Sequence, residues 1–283
     1  MKKGYVLLTF CLIVLFTMVF ITHTVHPFFQ WTENKTEAEE KSFPDHQKPE
    51  AGITFYDYLH EIGKKTKRVT IAVIGSSVTK GSGASAKTKN WPGLLEKQLA
   101  SEANFRNISV QLLNFGHSGY KAEDLVKQKI LDELISAHPD FVIFETSVIN
   151  NFRQSSSMED TLFYIDILLK RIDEQLPGTK VLVLAPNPIE TAGENQAGLR
   201  YEDYVNQTTA YLNEKGYPYI NIYEKMNQYI QTKQHQIGLY LADEIHPNDR
   251  GYRLWFDILY SHLRNEKYPL MDVVKREQAM MEN

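Results

Sequence analysis

Residues 69–81 read Val69-Thr70-Ile71-Ala72-Val73-Ile74-Gly75-Ser76-Ser77-Val78-Thr79-Lys80-Gly81. Six uncharged, mostly β-branched residues run without alternation into a glycine and two serines. A run with no polar side to turn to water predicts a strand buried on both faces, residues 69–74, that stops at Gly75. Burial on both faces is typical of parallel sheets covered by helices.

The same pattern recurs along the chain. Residues 108–115, 141–144, 181–184 and 219–222 read as four further strands. Amphipathic stretches lie between them. Residues 91–100 predict a helix capped by Asn90 with Pro92 in its first turn. Residues 122–137 predict a second, stopped by His138-Pro139. Residues 158–176 carry Leu162, Ile165, Leu169, Ile172 and Leu176 on one face, the mark of a third. Residues 201–215, ended by Gly216, and residues 248–263 complete the set. Strands alternating with helices predict an α/β fold, a three-layer α/β/α sandwich around a five-stranded parallel sheet. In such sheets ligands bind beyond the carboxyl ends of the strands, so residues that carry chemistry should follow strands directly.

Composition narrows the function. The chain has 283 residues, 42% hydrophobic and 23% charged, with a net charge of −4. That is ordinary globular chemistry, and no basic stripe marks it for nucleic acid. The single cysteine, Cys11, leaves the rest of the chain without a disulfide or a thiolate metal site. The nine histidines are scattered, with no helical pair to hold a metal. The spacing of Gly75, Gly81 and Gly83 does not match a dinucleotide fingerprint. No cofactor is implied.

The N-terminus reads differently. Lys2 and Lys3 precede an uncharged run at residues 5–21, which reaches the lower end of bilayer-spanning length. Lysines before the run and none just after it place the N-terminus inside and the bulk of the chain outside. The run is long for a signal peptide, and Thr22-His23-Thr24-Val25-His26-Pro27 contains no Ala-x-Ala cleavage site. The reading therefore favours a signal anchor over residues 1–29; cleavage would instead give a secreted protein. Residues 30–52 are polar and charge-mixed and read as a tether. They are followed by the catalytic-type domain at 53–268 and a tail at 269–283. An exported chain without disulfides points to a bacterial cell membrane with the domain outside.

Four segments fall just after strands or at the start of a helix. They are Gly75-Ser76-Ser77, Asn114-Phe115-Gly116-His117-Ser118-Gly119, Val148-Ile149-Asn150-Asn151, and Asp243-Glu244-Ile245-His246-Pro247. A serine hydroxyl attacks a carbonyl only when a base takes its proton, and histidine suits that task near neutral pH. A carboxylate must fix the imidazole tautomer. Asp243 and His246 are three residues apart at a loop-to-helix junction, where one turn can join them. Pro247 keeps His246 out of the helix. The negative charge that develops on the carbonyl oxygen needs donors. The backbone N–H groups of Ser77 and Gly119 and the side-chain amide of Asn150, with Asn151 second, are the candidates. Glycine at 119 lets the backbone come close to a substrate.

Taken together, the four blocks resemble those of the SGNH hydrolases, the GDSL-type esterases and lipases. Gly75-Ser76-Ser77 stands for their Gly-Asp-Ser, Asn114 to Gly119 for Asn-x-x-x-Ser-Gly, Val148 to Asn151 for Gly-x-Asn-Asp, and Asp243 to Pro247 for Asp-x-x-His-Pro. The resemblance covers residues 69–263. It implies catalytic residues Ser77, Asp243 and His246 and an oxyanion hole from Ser77, Gly119 and Asn150. The chain departs from the pattern in two places. Ser76 replaces the usual aspartate and puts a second serine beside Ser77, and the third block lacks its glycine and final aspartate and stands one residue too far from its strand. His117 and Glu145 read as structural or as neighbours of the substrate. Residues 186–200, after the fourth strand, are expected to line part of the acyl or alcohol pocket. The implied activity is hydrolysis of short, acetyl-like acyl esters on a small molecule or glycan. The same triad would equally serve an O-acetyltransferase acting on cell-wall glycans. An inactive glycan-binding module is the reading from another class.

Overall fold

The buried run that begins at Val69 is the inner strand on which the whole sheet is ordered. The computed structural model describes residues 52–190 and 193–268, which fall in one compact unit. In chain order the elements are β1 (Ile53–Thr54), α1 (Phe55–Thr66), β2 (Arg68–Gly75), α2 (Ser77–Lys80) and α3 (Trp91–Ser101). Then come β3 (Ser109–Gly116), α4 (Ala122–Lys127), α5 (Ile130–Ser136), β4 (Phe141–Glu145), α6 (Val148–Arg153) and α7 (Met158–Gln175). The chain continues through β5 (Lys180–Leu184), α8 (Tyr201–Lys215), β6 (Tyr219–Ile220), α9 (Ile222–Thr232), α10 (Asp249–Asn265) and β7 (Lys267–Tyr268).

Five strands pair in parallel in the order β3-β2-β4-β5-β6. The chain leaves β2 toward one edge for β3 and then crosses back for β4, so the order reverses around β2. A crevice opens at such a switch point beyond the strand ends. Strand side chains alternate between faces, and the core divides accordingly. Ile71, Val73, Phe141, Ile143, Leu182 and Leu184 face α1, α3, α9 and α10. Ala72, Ile74, Val142, Phe144, Val181 and Val183 face α4 to α8. The three-layer α/β/α sandwich with five parallel strands is as the sequence predicts. β1 and β7 form a separate antiparallel pair.

Several boundaries differ. The single helix expected at 122–137 is two, because Lys129 takes a left-handed φ of 66° and starts a new helix at Ile130. The last strand is only Tyr219–Ile220; Asn221 caps Glu224 N–H and turns the chain into α9. α1 lies in a stretch that the periodicity does not assign. Thr54 caps it through Asp57 N–H, and Lys67 ends it in the left-handed region. Asn90 caps α3 as expected, and Asn248, read as the first residue of the last helix, is instead its cap. The anchor expected at 1–29, the tether at 30–52 except Gly52, and the tail at 269–283 lie outside the described residues. Among the described residues no helix is long and apolar enough to cross a membrane.

Candidate active site

At the end of β2 the chain turns directly into α2, a four-residue helix that starts at Ser77. Ser76 is its cap: its Oγ accepts from Val78 N–H at 3.1 Å. Gly81 closes it with φ 102°, a conformation glycine adopts without strain. The second block holds this turn from the side. Asn114 donates from Nδ2 to Thr79 O at 2.8 Å and accepts from Gly116 N–H at 2.9 Å. His117 N–H donates to Gly75 O at 3.0 Å. Tyr252, on α10, donates to Val78 O and Ser82 O, tying the last helix to the same turn.

The segment from Leu241 to Pro247 folds back on itself. Ala242 N–H donates to His246 O at 2.8 Å, and Asn248 N–H donates to Tyr240 O at 3.0 Å. Inside this loop Asp243 Oδ1 accepts from the backbone N–H groups of Ile245 and His246, at 2.8 and 2.6 Å. Its other oxygen, Oδ2, lies 2.8 Å from His246 Nδ1. Across the ring, His246 Nε2 lies 2.9 Å from Ser77 Oγ. A carboxylate only accepts, so Nδ1 carries the proton and Nε2 is free to accept from the serine hydroxyl. Burial raises the Asp243 carboxyl, but the bonds from the His246 ring and from the two backbone N–H groups outweigh it and bring the pKa to about 2. Ser77 is 5% exposed, while the Asp243 side chain is 56% exposed, so the carboxylate stands at the rim of the cleft.

Ser76 does something else. Its side chain is fully buried, and its Oγ donates to Glu145 Oε2 at 2.6 Å while it caps α2. Its proton is committed to Glu145, and of the two adjacent serines Ser77 is the one whose hydroxyl meets a histidine.

Gly119 lies in the loop after β3 with φ 79°, and a side chain there would meet nothing within 4 Å. Packing therefore does not demand glycine; the backbone conformation does. Its N–H has no acceptor among the described residues. The N–H of Ser77, first in its helix, has no intrahelical acceptor. Asn150 is 2% exposed on α6, and its amide donates to Tyr120 O at 2.7 Å. This bond holds Asn150 against the Gly119–Tyr120 loop and leaves its second N–H for another acceptor. Asn151, the second candidate, points elsewhere: its Nδ2 donates to Thr161 Oγ1 at 3.0 Å in the interior beside α7. The extra residue in the third block is absorbed at Ser147, which takes φ 60° before α6 begins.

One contributor has no signal in the sequence blocks. Asn187, fully buried after β5, donates from Nδ2 to Ile245 O at 2.9 Å. Glu190 N–H donates to Glu244 O at 2.8 Å. The segment expected to line a substrate pocket thus braces the Asp243–His246 loop at these two residues. Nothing in the local sequence separates Asn187 from any other loop asparagine. Glu145, read from the sequence as structural or as a neighbour of the substrate, ends β4 with four donors on its carboxylate.

Residues 73–254 match the GDSL-like Lipase/Acylhydrolase family. No curated protein matches the chain in sequence. Among solved structures, the fold is similar to that of a lipolytic G-D-S-L protein from Veillonella parvula DSM 2008, at 17% identity and a TM-score of 0.56, covering 70% of this chain and 100% of that one. It is similar to a two-domain esterase (CEX) active on acetylated mannans, at 22% identity and a TM-score of 0.58. That match covers 76% of this chain but only 55% of the esterase. An acetyl xylan esterase, AlAXEase, matches at 18% identity with a TM-score of 0.57, over 68% of this chain and 98% of its own.

Proposed function

Since the chain belongs to the GDSL-like lipase/acylhydrolase family and is a serine ester hydrolase, we propose that Ser77 is its nucleophile, His246 its general base and Asp243 the carboxylate that orients the imidazole. The observation that carries this reading is the unbroken line of contacts from Asp243 Oδ2 through His246 to Ser77 Oγ, at 2.8 and 2.9 Å. Ser77 Oγ bonds to the ester carbonyl carbon while its proton passes to His246 Nε2. The carbonyl oxygen, now negative, is met by the N–H groups of Ser77 and Gly119 and the free amide N–H of Asn150. The imidazolium returns its proton to the alcohol oxygen as the ester C–O bond breaks, leaving an acyl-serine. Water then attacks the acyl carbon and gives its proton to Nε2. The second tetrahedral species collapses to release the acid, and Ser77 recovers its proton.

The proposed substrate is a short acyl ester on a glycan, acetyl above all. Support comes from the fold likeness to esterases of acetylated mannans and xylan. The proposed setting, on sequence grounds, is the outer face of a bacterial membrane, with residues 1–29 as the anchor. The test uses the full chain with acetylated mannan, acetylated xylan and a long-chain ester side by side. Acetate release from either glycan at a kcat/KM at least tenfold above the long-chain ester is expected. Long-chain preference would reject the acetyl reading, and acetyl label recovered on an added oligosaccharide would replace water by a sugar as the acceptor. Labelling by a serine-directed phosphonate, lost in Ser77→Ala, tests the triad itself.

A further inference from the structure

Glu145 is fully buried, lies outside the Ser77–His246–Asp243 line, and takes no part in the steps above. Its Oε2 accepts from Ser76 N–H at 2.7 Å, from Ser76 Oγ–H at 2.6 Å and from Thr79 Oγ1–H at 3.2 Å. Its Oε1 accepts from Ser147 N–H at 2.8 Å. Each end of the carboxylate thus grips a different catalytic segment. Oε2 holds the turn on both sides of Ser77. Oε1 holds Ser147, whose left-handed backbone starts α6 and so sets where Asn150 stands. Gly75 leaves room for this grip, because a Cβ there would come within 2.7 Å of Glu145 Oε2 and 2.6 Å of Thr79 Oγ1.

All four partners donate. Ser76 Oγ accepts from Val78 N–H and donates its own proton to Glu145 Oε2. Two of the four, the backbone N–H groups of Ser76 and Ser147, can only donate, one to each carboxylate oxygen, an arrangement that suits the ionised form. Burial pushes the Glu145 carboxyl above its usual range, and the bonds from Ser76, Ser147 and Thr79 oppose that rise without cancelling it. A buried charge held by four donors is costly to disturb and fixes the groups around it.

We propose that Glu145 is the positioning residue of this active site: one buried carboxylate that locks the Ser77 turn to the start of the Asn150 helix and holds nucleophile and oxyanion donor in register. This rests on the reading of Ser77 as the nucleophile. A misplacement of about an ångström at the reacting atoms costs on the order of a hundredfold in rate.

The test measures kcat, KM and the rate of phosphonate labelling for the full chain and four variants. Glu145→Gln keeps the shape but sets an amide against donors. It is expected to lower kcat and labelling roughly ten- to a hundredfold while KM stays within about threefold. Ser76→Asp/Glu145→Gln moves the carboxylate to the other side of the same 2.6 Å contact, where aspartate also serves as a helix cap. It is expected to recover roughly tenfold over Glu145→Gln, a rescue that simple loss of stability does not give. Thr79→Val removes one donor and applies even where Glu145→Gln fails to fold; a kcat loss of about threefold or more is expected. Ser77→Ala separates the two readings. Turnover surviving in Ser77→Ala rejects the nucleophile. Turnover lost there, with Glu145→Gln and Thr79→Val both within twofold of the unmodified chain, overturns the role of Glu145 alone. A double variant no faster than a folded Glu145→Gln overturns it too.

Discussion

His246 Nε2 stands 2.9 Å from Ser77 Oγ although 169 positions separate the two residues in the chain. Neither loop achieves this alone. Tyr252 bonds from α10 to the carbonyls of Val78 and Ser82. Asn187 braces Ile245 from the end of β5. Asp249, at the start of α10, receives Ser85 N–H, Ser85 Oγ–H and Lys89 Nζ, closing the loop after Ser77 against the helix that follows His246. The contact is the product of two strand ends, those of β2 and β5, and the start of one helix, α10.

The two adjacent serines should separate cleanly on substitution. Ser77→Ala should abolish phosphonate labelling and lower kcat at least about a thousandfold, the scale seen when a nucleophile is removed. Ser76→Ala keeps the nucleophile but loses the cap of α2 and one donor to Glu145. Labelling should persist at Ser77, with a loss of about 1 kcal/mol in unfolding free energy from the missing cap. Mass spectrometry of labelled peptides decides the assignment. Label on Ser76 would overturn it.

Asp243 sets the pH behaviour. With its pKa brought down to about 2, it stays ionised through the whole acid limb of activity. His246 must be neutral to accept the Ser77 proton. Asp243 should therefore add no ionisation of its own to the acid limb of kcat/KM, and a slope of two above pH 3 would contradict this. The folded carboxyl lies below its unfolded value, so its contribution to stability is complete above about pH 4 and is lost as pH falls toward 2. That contribution is small, because the side chain is more than half exposed. In Asp243→Asn the amide can donate to Nδ1, which moves the ring proton to Nε2, facing Ser77. The expected loss in kcat is on the order of a thousand- to ten-thousandfold.

Gly83 sits against the histidine. Its φ is 88°, and a Cβ would lie 2.5 Å from Pro247 O and 2.9 Å from His246 Cβ. Gly83→Ala should destabilise the chain by roughly 1–3 kcal/mol through overpacking. It should also lower kcat more than it raises KM, because the group displaced is the base. Denaturant unfolding and steady-state kinetics on one preparation test both parts. An unchanged kcat would show that the loop yields without moving His246.

The legible part of this chain is what local chemistry fixes. The strand at 69–74 declares itself because six uncharged residues cannot face water, and the cap at Asn90 because a side-chain oxygen beside a helix start has one task. The pairing of Asp243 with His246 is legible for the same reason, being three residues long. What stayed hidden depends on packing between distant segments. The break at Lys129 is a left-handed lysine, a conformation no propensity forecasts. Glu145 reads only as structural or as a neighbour of the substrate, and its partners are hidden until β2 and β4 pair and bring Ser76 to it. The preference for Asn150 over Asn151 becomes geometry only when Ser147 turns left-handed and sets the phase of α6.

That phase makes the last prediction. Asn150 faces the Gly119–Tyr120 loop with one amide hydrogen to spare, whereas Asn151 faces α7. Removing an oxyanion donor typically costs about a hundred- to a thousandfold in kcat. Asn150→Ala should lose at least the lower of these, with little change in KM, because the donor acts mainly once charge has formed on oxygen. Asn151→Ala removes a buried bond to Thr161 Oγ1 and should cost about 1–3 kcal/mol of stability while leaving kcat within about threefold. Paired measurement of kcat and unfolding free energy for the two alanine variants is decisive. Reversed roles would mean that α6 enters the site one residue later than the Ser147 turn places it, and Asn150 would lose its part in the oxyanion hole.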